Sequence, residues 1–192
     1  GVALFSQFPI INSGEMVRQT IPSPYGKFYN RGVFADIETN GQMIRFVSVH
    51  LQSIYFASED YNAIEEIKEE TPSEISKFLP IIKKLGKAYK QRGIQTAELK
   101  SFIEASPYPI ILGGDFNDTP SSFAYQQLSE LLDDAFIKKG KGIGSTYNGS
   151  IPFLRIDYIF IDKTFSYSKY EKIKNPNSDH FPIIADIDLP NK

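Results

Sequence analysis

Six short β-rich runs, three within the first 51 residues and three after residue 108, flank a long central block with helical spacing. The runs are Val2–Phe5, 32–37, 43–51, 109–113, 156–161 and 181–187. Short strands on either side of helices are typical of α/β proteins in which helices cover the faces of a sheet. The sequence therefore predicts an α/β fold and leaves the strand order open.

The central block predicts at least two helices. A first helix is predicted to begin at Ser58-Glu59-Asp60 and to be interrupted at Pro72. A second helix is predicted to begin at Ser73. From Ile81 the apolar residues recur every three or four positions as far as Ile103, which predicts a long amphipathic helix. A further helix is predicted over Phe123–Leu132.

Turn residues divide the first part of the chain. Residues 13–30 are polar and contain two glycines and two prolines, which predicts a loop or a short hairpin. Asn40-Gly41 predicts a tight turn between two strands, because Asn and Gly readily adopt the positive φ angles of such turns.

Bulk composition narrows the class of protein. The 192 residues are 41% hydrophobic, which is enough for one sizeable core and predicts a single domain over residues 1–192. The lack of cysteine excludes disulfides, zinc–thiolate sites and thiol catalysis. A pI near 5.8 argues against tight non-specific DNA binding, although it does not exclude a nuclease. No targeting or transmembrane segment is recognisable, so the chain is predicted to be soluble, in a compartment that is left open.

Polar groups occur at the ends of the β-rich runs, where enzymes built on sheets place reacting groups. They are His50, Asp115, Asn117, Asp157, Asp179 and His180. Each has a structural explanation: a histidine can be packed, and Asp and Asn can cap a turn. Asp157 is harder to explain in this way, because it interrupts a β-rich run and a buried carboxylate needs a partner. Taken together, the six indicate a functional site.

Four motifs in order carry a resemblance to a known family. They are Val47-Ser48-Val49-His50-Leu51, Gly114-Asp115-Phe116-Asn117, Arg155-Ile156-Asp157-Tyr158-Ile159 and Ser178-Asp179-His180. The chain resembles the endonuclease/exonuclease/phosphatase family from about Leu4 to its C-terminus. The resemblance implies a two-sheet α/β sandwich and hydrolysis of phosphodiesters or phosphomonoesters by an activated water with Mg²⁺ or Mn²⁺. These hard cations prefer oxygen ligands.

The resemblance also implies roles for individual residues. Asp115 would orient or activate the attacking water and bind the metal, with Asn117 holding the phosphate or the metal. Asp179 would contribute to the metal site. His180, held by Asp157, would contact the phosphoryl group, and His50 would be a second imidazole beside it.

The family pattern begins upstream of the segment that resembles Val2–Ile10, with a strand carrying Asn or Asp and then a glutamate metal ligand. The chain is therefore expected to be the C-terminal portion of the domain, without its N-terminal strand or strands, with weakened metal binding and a sheet edge open to self-association. Two alternatives stay open. One is a non-catalytic remnant or binding module, and the other is an unrelated α/β protein in which the polar strand ends lie far apart.

Three further features have interpretations of their own. Arg92 and Gln95 are interpreted as packing or surface residues of the long helix. Residues 140–144 are glycine-rich, but they lack the ending of a phosphate loop and are interpreted as a flexible loop. Four aromatic residues in predicted loops are candidates to line a substrate cleft: Tyr25, Tyr29, Tyr147 and Phe153.

Overall fold

Two sheets form the β structure of the protein in the part of the chain that the structure, a computed structural model, describes. That part comprises residues 1–23, 26–54, 60, 79–149, 151–175 and 177–189, with the side chains of residues 17–31 left out. The strands are β1 Ile10–Ser23, β2 Gly26–Thr39, β3 Gln42–His50, β4 Ile110–Asp115, β5 Leu132–Asp134, β6 Asp157–Asp162, β7 Ser166–Lys172 and β8 Ile183–Asp188. The helices are α1 Leu79–Glu104, α2 Phe123–Leu131 and α3 Ala135–Lys139.

The larger sheet has six strands in the order β1-β2-β3-β4-β6-β5, and β7 and β8 form the second sheet. Neighbouring strands are antiparallel except for β3 and β4, which are parallel. A parallel pair needs a long crossover connection, and α1 lies in the segment that joins these two strands.

The two faces of the larger sheet are buried in two different cores. Successive strand residues point to opposite faces, so Leu112 joins Leu99 and Leu128 of the helices, whereas Ile111 joins Ile161 and residues of β7 and β8. The molecule is thus layered, with helices α1 and α2 on one face of the six-stranded sheet and the small sheet on the other. This confirms the predicted two-sheet α/β fold.

The predicted Asn-Gly turn is present. Asn40 and Gly41 have φ angles of 51° and 69°, and Thr39 pairs with Gln42 across the turn. The described residues between 13 and 30 belong to a longer pair of strands than predicted, because β1 and β2 pair from Ile10 with Ile37 to Ser23 with Gly26. The glycine at position 14 fits this hairpin, since a Cβ there would lie 2.8 Å from the Phe34 ring.

The expected strand at Val2–Phe5 is wrong. Residues 1–9 contain no strand, and the side chain of Phe5 is 94% exposed. An apolar run forms a buried strand only if a neighbouring strand supplies hydrogen bonds and a covering face. Within the described residues this segment has no such neighbour, and the sequence alone does not reveal that.

Most of the other predicted elements are present. Helices α1 and α2 and strands β3, β4, β6 and β8 lie close to the predicted ranges, whereas the structure adds β5, β7 and α3, which were not predicted. The helix start at Ser58, its interruption at Pro72 and the second start at Ser73 lie outside the described residues. None of the described helices is both long and apolar enough to span a membrane.

A buried ion pair ties β2 to β3 on the larger sheet. Asp36 is 2% exposed and accepts two hydrogen bonds from the Arg45 guanidinium, at 2.7 and 2.9 Å. The Nδ2 atom of Asn12 donates a third hydrogen bond to the same carboxylate at 3.0 Å. These bonds favour the charged carboxylate, with that from Arg45 the largest influence, and they lower the pKa of Asp36.

Asp36→Asn is expected to lower the free energy of unfolding by about 2 kcal/mol at pH 7, because a charge-assisted pair is lost. The pKa of Asp36 is lower in the fold than its ordinary 3.8, so its contribution is complete above that pH and is lost as the pH falls through the folded-state value. The difference between wild type and variant should therefore narrow below about pH 4 in urea unfolding curves. Asp186→Asn, at an exposed position of β8, is the control. A gap that stays constant on acidification would contradict the prediction.

Candidate active site

Three neighbouring strands bring predicted site residues to one edge of the larger sheet. His50 is the last residue of β3, Asp115 the last of β4, and Asp157 the first of β6. The strand register pairs His50 with Asp115 and Asp115 with Asp157. The separations of 65 and 42 positions along the chain are thus closed by strand pairing alone.

Asp115 and Asn117 form a local turn beyond the end of β4. The Asn117 backbone N–H donates to one Asp115 carboxylate oxygen at 2.8 Å, and its Nδ2 donates to the other at 2.9 Å. The same Nδ2 donates to the Leu51 carbonyl at 3.2 Å. Asn117 has a φ of 50°, which Asn tolerates better than most residues. The turn considered from the sequence is therefore present, and it orients both side chains at the site.

His180 reaches the same edge from the far end of the chain. Its Nδ1 lies 2.8 Å from Oδ2 of Asp157, the contact predicted from the sequence. A bridge between Tyr147 and His180 holds this segment in place, and the Phe181 N–H donates to the Thr146 carbonyl at 2.7 Å. Thr146 Oγ1 in turn accepts the backbone N–H of Asp157 at 3.0 Å. Thr146 thus anchors both partners, and no sequence motif had singled it out.

The charges of the site influence one another. Burial, and next the neighbouring Asp157 carboxylate, raise the pKa of Asp115 to about 6. The hydrogen bond with Asp157 raises the pKa of His180 above its ordinary value. Burial lowers the pKa of His50. The Asp115 and Asp157 carboxylates repel each other as anions, and a cation between them would offset that repulsion.

Asp115, Asp157 and His180 each offer one ligand atom, and these atoms all lie within 4.8 Å of one another. Carboxylate oxygens are the donors that Mg²⁺ and Mn²⁺ prefer, and imidazole is compatible with several divalent metals. The donor set therefore fits a divalent cation. It differs from the predicted ligand set by including Asp157 and His180.

The other predicted residues lie around this cluster. His50 Nε2 is 3.4 Å from Oδ2 of Asp115 and 3.2 Å from Ser53 Oγ, a contact that the motifs did not predict. Asp179 is exposed, and its carbonyl accepts the Asn148 N–H at 2.7 Å. Its carboxylate is not among the three clustered groups, and its metal role stays a prediction.

Buried side chains support the site from the helical layer. Arg92 of α1 is fully buried, and its Nε donates to Asp118 Oδ2 at 2.9 Å while Nη1 donates to the Gln52 carbonyl at 2.9 Å. The Tyr158 hydroxyl donates to the Asp118 carbonyl at 2.8 Å. The guanidinium therefore clamps the segments that follow His50 and Asn117. Of the packing or surface role predicted for Arg92, the structure shows the packing role, because the side chain is fully buried.

Comparison with known proteins agrees with the motif order. A family model described as the endonuclease/exonuclease/phosphatase family matches residues 1–180. The chain belongs to this family. Solved structures of this family with 16 to 18% identity share the fold of the chain. No curated protein matches the sequence.

Three of those structures illustrate the range of the family. An endonuclease/exonuclease/phosphatase family protein from Bacteroides thetaiotaomicron is 18% identical, with a TM-score of 0.63 over 96% of this chain and 66% of that one. The mannosyl-6-phosphatase of the same organism is 16% identical, with a TM-score of 0.59 over 95% and 67%. The human Nocturnin catalytic domain, solved with a bound sulfate, is 16% identical, with a TM-score of 0.58 over 95% and 60%. The chain thus spans 60 to 67% of the length of these three structures.

Proposed function

We propose that the protein is a divalent-metal-dependent hydrolase of phosphate esters, acting on phosphodiesters or phosphomonoesters by in-line attack of water. The observation that carries the proposal is the convergence of Asp115, Asp157 and His180 at one sheet edge, with ligand atoms within 4.8 Å. Membership of the endonuclease/exonuclease/phosphatase family supports the same reaction class. The residues involved span His50 to His180, which supports the proposal of a single domain.

The metal would be held by Asp115, with Asp157 and Asn117 as the other oxygen donors nearby. Asp179 is proposed as an additional ligand. Both side-chain hydrogen bonds of Asn117 are made by its Nδ2 atom, so its amide oxygen could bind a cation. When bound, a divalent cation neutralises phosphoryl oxygens and acidifies water.

His180 would act on the phosphoryl group through Nε2, because its Nδ1 is engaged by Asp157. A carboxylate partner fixes the tautomer of an imidazole and stabilises its cation, which suits a donor to a phosphoryl oxygen. Asp115 would orient the attacking water and accept its proton. His50, 3.4 Å from Asp115, would keep that carboxylate in position.

Metal removal tests the proposal. The protein should bind Mn²⁺ in an electron paramagnetic resonance titration and should hydrolyse bis(p-nitrophenyl) phosphate with Mn²⁺ or Mg²⁺. Excess EDTA should reduce the rate by at least about a hundredfold, since the metal supplies charge stabilisation worth several kcal/mol. Restored metal should restore the rate.

The outcomes separate the alternatives. Equal hydrolysis with EDTA and with Mn²⁺ would contradict metal dependence. Metal and phosphate binding with no turnover of any phosphoester would indicate the non-catalytic binding module. The alternative of an unrelated α/β protein predicted polar strand ends far apart, and the close approach of Asp115, Asp157 and His180 from three separate segments contradicts it.

A further inference from the structure

A groove of about 1130 Å³ lies directly beside the candidate active site. Tyr147, Asn148 and Phe181 are among the residues that line it. The Tyr147 ring makes an edge-to-face contact with the His180 imidazole, with ring centroids 5.3 Å apart. The groove therefore begins one side chain away from the imidazole, at the distance where the group next to a reacting phosphate would lie.

Positive charge prevails in the groove. Its described lining contains four lysines, at positions 139, 141, 169 and 172, against one acidic residue, Glu171. Glu171 pairs with Lys169 at 2.9 Å, and no ion pair in the described part of the chain involves Lys139 or Lys141. Lys172 donates to the Ser145 carbonyl, a neutral partner, at 2.7 Å. In a chain of net charge −2 this local excess favours an anionic ligand.

Aromatic rings prevail among the apolar side chains of the groove. Five aromatic residues line it, Phe136, Tyr147, Phe153, Tyr170 and Phe181, and the larger aliphatic residues are Ile143 and Pro152. Flat rings offer stacking surfaces to nucleobases, whereas an acyl chain is better matched by aliphatic walls. The composition of the groove therefore favours a ligand with a flat ring.

Two of these rings, those of Phe153 and Tyr147, are presented to the groove in different ways. Phe153 is 68% exposed and has a φ of 65°, a strained conformation for a bulky residue and one that clusters at functional sites. The Tyr147 ring lies against the backbone of Gly149, where a Cβ would come within 2.1 Å of it. It is thus held between Gly149 and His180.

We propose that the groove binds a nucleotide whose sugar and base lie next to the scissile phosphate and which carries a further phosphate. The base stacks on Tyr147 and Phe153, and the further phosphate lies near Lys139 and Lys141. This inference rests on the proposed function, because the groove orients an ester toward His180. A single-stranded nucleic acid and a free nucleotide share this chemistry.

Binding without turnover tests the inference. A fluorescein-labelled single strand of six thymidines is titrated in EDTA and followed by fluorescence anisotropy. The groove variant is Phe153→Ala with Lys141→Gln. The matched control is Phe123→Ala with Lys87→Gln, which removes an aromatic residue that is 63% exposed and an exposed lysine, both outside the groove. The groove variant should raise the Kd by about tenfold or more, and the control by less than about twofold.

Salt dependence gives a second readout. Loss of one lysine–phosphate contact should reduce the slope of log K against log salt by about 0.7. Competition identifies the source of the ligand. Displacement by ADP indicates a free nucleotide, and displacement by the unlabelled hexamer alone indicates a strand; ribose 5-phosphate, which has no base, should compete poorly.

Two results would overturn the inference directly: the wild type does not bind the hexamer, or the groove and control variants bind it equally well. A third would also overturn it: the groove variant binds the hexamer as the wild type does but no longer binds vesicles of phosphatidylcholine and phosphatidylserine. The last result would indicate a lipid surface instead. Hydrolysis of bis(p-nitrophenyl) phosphate is measured separately. Groove-dependent binding without hydrolysis would reject the proposed function alone, and hydrolysis without groove-dependent binding would reject this inference alone.

Discussion

Asp115→Asn is expected to lower kcat/KM for metal-dependent hydrolysis of bis(p-nitrophenyl) phosphate by about 10³-fold, within the range for loss of a general base. The variant keeps the size of the side chain and removes the charge that would hold the cation and accept the proton of the attacking water. It should also weaken Mn²⁺ binding in an electron paramagnetic resonance titration. Circular dichroism should show that the fold is retained.

Asp186→Asn is the matched control, because this carboxylate is exposed on β8 and belongs to no part of the site. It should leave kcat/KM and Mn²⁺ affinity within about twofold of wild type, as surface substitutions usually do. Unchanged turnover in both Asp115→Asn and His180→Ala would reject the proposed mechanism. Activity loss with unchanged Mn²⁺ binding would restrict Asp115 to the chemical step.

Gly114→Ala is expected to destabilise the protein by about 4 kcal/mol or more, at the upper end of single substitutions. Gly114 has a φ of 151°, in the region that favours glycine, and an added Cβ would lie 1.9 Å from the Val49 carbonyl oxygen. Relief of that clash requires β4 to move away from β3, which breaks the parallel pairing between them. Urea unfolding at pH 7 measures the loss.

Gly113→Ala, one residue earlier on the same strand, is the control for this prediction. There the nearest atom to an added Cβ is the Tyr158 carbonyl oxygen at 3.8 Å, an ordinary contact. The free energy of unfolding should change by less than about 1 kcal/mol. Equal stability of the two variants would mean that the close approach of Gly114 and Val49 does not limit the spacing of β3 and β4. The two glycines that precede Asp115 are therefore expected to differ: Gly114 is required for the close approach to Val49, whereas Gly113 tolerates a side chain.

Local patterns predicted the elements whose causes are local. β-rich and apolar runs predicted β3 and β4, helical spacing predicted α1, and the preference of Asn and Gly for positive φ predicted the turn at Asn40. Strand β7 was missed because its sequence, SYSKYEK, is polar, and only Tyr167 and Tyr170 face the second core. The strand expected at Val2–Phe5 failed for the opposite reason: an apolar run does not make a strand without a partner.

The order of the four motifs already determined the family and the types of chemical group at the site, because hard oxygen donors and imidazoles are suited to phosphate chemistry whatever their arrangement. Tertiary structure decided which of those groups meet. Register between β3, β4 and β6 placed His50, Asp115 and Asp157 side by side, and the bridge from Tyr147 brought His180 to Asp157. It also decided that lysines and aromatic residues from separate segments surround one groove. Such proximities depend on strand pairing between residues far apart in the chain, and no local pattern encodes them.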